Sequence, residues 1–257
     1  MMDSVVHGVV FGALGLVLGP VVGIVVDRAV ERVPVRPEHR CPTCEQGLGS
    51  GSLLPIIGGL RRCRPCGDQW SWRYPIVDFL TVVVLALIGM RFGFSWVVAP
   101  YLGFGLVAVA LTVIDAETHL LPNVIVWPSI WASLFAIMTL SGFNDYSAGI
   151  AGALAGGAVA GGLLGIAHLV YEPGMGRGDV KLALLLGLFV GWPYTDWADA
   201  TRASLWMIIL ALMVVGFGGA LINLIRYRSI RGAEVPFGPA LIGASLLILV
   251  GSTGTGI

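Results

Sequence analysis

Eight apolar stretches constrain what this chain can become: 5–26, 76–90, 96–114, 124–140, 148–170, 180–192, 203–225 and 238–250. A helix needs about 20 apolar residues to cross a hydrocarbon core, so runs of this length predict transmembrane helices, with the second, sixth and eighth short. With 56% hydrophobic and only 12% charged residues, and a mean hydropathy of +0.88, the chain is far more apolar than a soluble domain. The expectation is an all-α membrane protein, a polytopic bundle of about eight transmembrane helices whose main partner is the lipid bilayer. The first stretch carries Asp3 and His7 where a signal peptide has a basic start and a small-residue cleavage site, which predicts a retained helix.

Net charge is zero, which argues for no nucleic-acid partner; the placement of the basic residues carries the information instead. Of the fifteen Lys and Arg, thirteen fall in 27–75, 171–181 and 226–237, and only Arg91 and Arg202 fall in the alternate loops. Basic loops stay in the cytoplasm. Eight spans with both termini outside therefore put residues 27–75, Asp115 and Asp179 on the cytoplasmic side.

The four cysteines of the chain form Cys41-Pro42-Thr43-Cys44 and Cys63-Arg64-Pro65-Cys66, a C-x2-C-x18-C-x2-C spacing. Two such knuckles present four thiolates to one tetrahedral zinc, and a closed set of four leaves no position for water, so the predicted zinc is structural; the alternative is reduced, metal-free thiols. Trp70, Trp72 and Tyr74 follow at alternate positions and suit an interfacial anchor. The expected organisation is a first transmembrane helix (1–26), a cytoplasmic loop with the zinc-knuckle insert (27–75) and a transmembrane core (76–257).

Two carboxylates stand at the ends of apolar runs. Asp115 closes Thr112-Val113-Ile114-Asp115, and Asp179 sits in Gly174-Met175-Gly176-Arg177-Gly178-Asp179, just before the sixth run. Ionisable groups at membrane depth are costly and mark function. Two carboxyls sharing one proton can activate water and protonate a leaving amine. Read singly, Asp179 is also a helix N-cap and Asp115 an interfacial polar group. Gly174, Gly176 and Gly178 lack side chains and would let an extended substrate backbone approach. Glu117 and His119 read as interfacial polar groups, His168 and Glu172 as an interfacial cap of the fifth helix, and Arg177 and Lys181 as partners of lipid phosphate or of a carboxylate. Gly149, Ala153, Gly157, Gly161 and Gly165, at four-residue spacing in the fifth run, predict close helix packing.

Gly176-Arg177-Gly178-Asp179 resembles the Gly-x-Gly-Asp signature of intramembrane aspartyl proteases. With Asp115, Leu121-Pro122, Arg32-Val33-Pro34, the paired knuckles, Arg73-Tyr74-Pro75-Ile76-Val77-Asp78 and Pro236-Phe237-Gly238-Pro239, the order of motifs is similar to the bacterial type IV prepilin peptidase family. The resemblance implies catalysis by Asp115 and Asp179. It also implies removal of the leader from type IV prepilins and type II secretion pseudopilins at the cytoplasmic face of the bacterial inner membrane. Members keeping the cysteine insert are associated with N-methylation of the new amine from S-adenosylmethionine. The chain departs from the family pattern at Gly19-Pro20-Val21-Val22-Gly23-Ile24, at Asn123 and at Asp78. The rival readings are a proton- or cation-coupled carrier using the same carboxylates, which their place at the membrane rim disfavours, and a non-catalytic assembly scaffold.

Overall fold

The structure is a computed structural model that describes residues 2–31, 73–170, 176–226 and 237–251. Every regular element among them is helical: α1 (Met2–Glu31), α2 (Arg73–Phe92), α3 (Val98–Thr118), α4 (Asn123–Phe143), α5 (Ser147–Val170), α6 (Arg177–Gly191), α7 (Trp197–Arg226) and α8 (Phe237–Gly251). Each apolar run thus becomes one helix. Six of them, α1 to α5 and α7, are long and apolar enough to cross a membrane. The other two have 15 residues each, about 22 Å at 1.5 Å per residue, short of the roughly 30 Å hydrocarbon core. The expectation of about eight spanning helices is therefore met in helix number, with six of spanning length among the described residues. Large apolar side chains such as Val124, Phe135, Leu169 and Phe217 are left exposed, as a bilayer solvent permits.

The chain divides into two compact units, Met1–Ile114 and Asp115–Ile257. In the first, α1 and α2 run antiparallel in close register. Gly8 meets Met90, Gly12 meets Ala86, Gly15 meets Val82, and Gly19 meets Asp78, while Gly23 lies beside Tyr74. Small residues at three- and four-residue steps form one stripe, which lets the two backbones approach. At the far end of this seam Tyr74 donates from its hydroxyl to Asp27 Oδ2 at 2.8 Å. Phe92 stacks on Tyr101 of α3, with ring centroids 4.1 Å apart.

The second unit is built around its shortest helices. α6 packs against α4, α5, α7 and α8, and Leu182, Ala183 and every residue from Leu185 to Gly191 are buried. Its closest neighbour is α5. A methyl on Gly156 would strike the Gly187 carbonyl, and one on Gly191 the Gly152 carbonyl, so the two backbones touch at reciprocal glycines. The stripe in the fifth run thus packs as predicted, with Gly152 and Gly156 at the closest approach. Beyond α6, the buried Trp192 donates from Nε1 to Ser141 Oγ at 2.9 Å, satisfying an indole N–H that burial would otherwise leave unpaired.

Candidate active site

Asp115 lies in the last turn of α3, which continues past the apolar run to Thr118. Its side chain is only 5% exposed. Such a carboxylate needs a donor, and the donor comes from the start of α8: the Gly238 N–H reaches Asp115 Oδ2 at 3.0 Å. The first N–H groups of a helix have no partner within it, so α8 offers one without disturbing its own ladder. Only glycine permits this approach, because a Cβ at 238 would stand 2.5 Å from Oδ2 and 3.0 Å from Cγ of Asp115. In the sequence Pro236-Phe237-Gly238-Pro239 stands only as a motif of the resemblance, with nothing local to show its contact with Asp115. The available signal was a glycine at the first turn of an apolar helix in a chain with a buried acid to satisfy.

Asp179 is the third residue of α6, and Gly176 occupies the N-cap position with no side-chain cap bond. Asp179 is therefore not the N-cap: that place is three residues earlier, at Gly176, and Asp179 sits inside the first turn. Lying ahead of the apolar run 180–192, Asp179 is raised from 3.8 to about 6, chiefly by burial, then by the charge of Asp115, against the opposing hydrogen bond from the Gly176 backbone. Asp115 is thus near enough for its charge to raise Asp179.

Two further contacts tie the motifs around them. Gly178 packs on Leu121, where a Cβ would come within 2.9 Å of the Leu121 Cβ. Lys181 donates from Nζ to Asn123 Oδ1 at 2.7 Å and lies 5.5 Å from the Trp127 ring centroid. Lys181 was expected to face lipid phosphate or pair with a carboxylate; the structure gives it a neutral carboxamide and an aromatic face instead. That pairing also uses the departure at Asn123, since the carboxamide oxygen still accepts from an ammonium. His119 adopts a left-handed backbone with φ of 52°, and its N–H closes on the Asp115 carbonyl at 2.9 Å. It turns the chain toward Leu121 and Pro122, with Glu117 and His119 both exposed.

Gly176 and Gly178 therefore flank Asp179, whereas Gly174, Cys41, Cys44, Cys63 and Cys66 lie outside the described residues.

Residues 102–224 match the model of the type IV leader peptidase family, and residues 13–92 match that of the bacterial peptidase A24 N-terminal domain. A prepilin leader peptidase/N-methyltransferase from Aeromonas hydrophila is 31% identical over 83% of this chain and 71% of its own. The chain belongs to the type IV leader peptidase family. The proteins of the same name from Neisseria gonorrhoeae and Bacillus subtilis are 30% and 27% identical, each over 83% of this chain and over 71% and 81% of their own. No solved structure matches the chain. Asp115 and Asp179 both fall in the 102–224 match, and the four cysteines fall in the 13–92 match.

Proposed function

We propose that Asp115 and Asp179 are the dyad with which this leader peptidase removes the leader of type IV prepilins and type II secretion pseudopilins. The observation that carries the reading is the meeting of the two motifs: Asp115 is buried and held by Gly238, and Leu121 just beyond it packs on Gly178 beside Asp179. A backbone N–H can only donate, so Oδ2 of Asp115 is an acceptor. The proton of a singly protonated pair then resides on Asp115 Oδ1 or on Asp179. One carboxylate takes a proton from water as its oxygen bonds to the scissile carbonyl carbon. The other carboxyl protonates the carbonyl oxygen, and as the C–N bond breaks a proton passes to the leaving amine. Gly176 leaves room beside Asp179 for the substrate backbone, whereas the space at Gly178 is taken by Leu121.

The site would face the cytoplasmic side of a bacterial inner membrane, in keeping with the thirteen-to-two division of basic residues. One structural zinc would be held by Cys41, Cys44, Cys63 and Cys66, a donor set of soft thiolates that suits this metal. The relatives carry N-methyltransferase in their names, and we extend that second activity, with S-adenosylmethionine as methyl source, to this chain.

The test is to mix the purified protein in detergent with a prepilin and follow leader loss. Asp115→Asn and Asp179→Asn should each lose cleavage by roughly a thousandfold, within the range general acid–base groups supply. Near-normal leader removal by either folded variant would refute the dyad.

A further inference from the structure

A third carboxylate belongs to the first compact unit. Asp78 projects from the first turns of α2 and is 4% exposed, and its carboxyl has no hydrogen-bonding or charged neighbour among the described residues. The seam between α1 and α2 leads directly to it. Gly19 of α1 packs against its carboxylate, with the position of an absent Cβ 2.5 Å from Asp78 Oδ1. One turn along each helix, Gly23 lies beside Tyr74. Tyr74 in turn donates to Asp27 at 2.8 Å. Pro20, inside α1, cannot donate to the Leu16 carbonyl and leaves a further acceptor on the same stretch. The α1–α2 seam thus holds further acceptors along its length and a buried acid that no described residue satisfies.

Packing does not account for an acid here. A carboxylate with no partner among the described residues costs free energy to bury, and residues of similar size without charge would fill the seam as well. What it suits is a ligand that brings positive charge and N–H donors. We infer that Asp78 is the anchor of a binding site for an ammonium group of the substrate chain. The inference rests on the leader peptidase reading, because that chemistry supplies two such groups: the α-ammonium exposed by cleavage and the basic side chains of the leader. An –NH3+ group has three donors and no acceptor, which matches a buried carboxylate that only accepts. Asp78 is a binding group in this account and takes no part in bond cleavage.

The experiment uses the full-length protein in detergent and two versions of one leader-free pilin peptide, with its α-amine free or acetylated. Wild-type protein should bind the free-amine peptide about tenfold or more tightly, the scale of a charge-assisted hydrogen bond, and Asp78→Asn should abolish that preference while prepilin cleavage keeps its KM. This pattern assigns the site to the new N-terminus. A several-fold rise in the KM for prepilin in Asp78→Asn, with no preference between the peptides, assigns it to the leader's basic side chains. Equal binding of the two peptides by wild type, together with an unchanged KM in Asp78→Asn, overturns the proposal. Should Asp78→Asn not fold, Asp78→Glu replaces it: the wild-type comparison stands alone for the N-terminus, and a prepilin KM unaltered by the displaced carboxylate, with equal peptide binding, again overturns it. Leader loss by wild type is scored in parallel, so failure of the peptidase reading is seen separately as an absence of cleavage.

Discussion

The Gly238 N–H stands 3.0 Å from Asp115 Oδ2, joining residues 123 positions apart at the C-terminal turn of one helix and the N-terminal turn of another. This contact does for Asp115 what solvent does for an exposed acid, at a place with almost no solvent. It also fixes which carboxylate oxygen remains for chemistry.

Gly238→Ala should therefore reduce leader cleavage by roughly 10- to 100-fold, the value of a hydrogen bond to a charged group. The added methyl must displace either the carboxylate or the start of α8. Cleavage rates on protein of wild-type melting temperature check this; an unimpaired Gly238→Ala would remove Gly238 from the account of the site.

Asp179→Asn should trade activity for stability in a pH-dependent way. With Asp179 raised from 3.8 to about 6 in the folded protein, the folded state holds a proton that the unfolded chain has already released. Its contribution is fully favourable below about 4 and is lost as pH rises through about 6. Removing the charge should thus stabilise the protein by about 1–3 kcal/mol above pH 6, and by almost nothing near pH 4. Melting temperatures of wild type and variant across that range provide the check; a pH-independent difference would contradict it.

Gly156→Ala probes the α5–α6 contact. The new methyl would meet the Gly187 carbonyl and lie 2.9 Å from Ser204 Oγ, and rigid backbone cannot yield as a side chain can. A loss of about 1–3 kcal/mol is expected, the usual cost of overpacking. Gly162→Ala, on the same helix with nothing within 4 Å, should be close to neutral. Thermal melts of the two variants in one detergent make the comparison.

Cys63→Ser should lower bound zinc and destabilise the insert, because a four-thiolate site supplies folding energy and has no open position for substrate. Some cleavage should persist, and methyl transfer should suffer more. Metal content, cleavage and methyl transfer measured on one preparation decide it. Wild-type protein without zinc would refute the site, and a folded variant with no cleavage would refute the separation of insert from dyad.

The sequence by itself determined the helical class, the approximate place of every helix and the two acidic motifs. Long apolar runs have few ways to satisfy their backbone in lipid, and an acid beside such a run stands out against its surroundings. It also determined that α5 packs closely, through a visible four-residue spacing of small residues. What it did not determine depends on distance in space. Asp179 looked like a cap because an Asp before an apolar run usually is one, and only the path of the backbone through Gly176 put it inside the helix. The stripe from Gly8 to Gly23 mixes three- and four-residue steps, so its register with α2 became legible only once Met90, Ala86, Val82, Asp78 and Tyr74 were opposite it. Gly238 and Asp115 share no local pattern at all. Their bond exists because tertiary packing brings an unpaired helix N–H to a buried carboxylate, and that meeting is set by the bundle rather than by either segment.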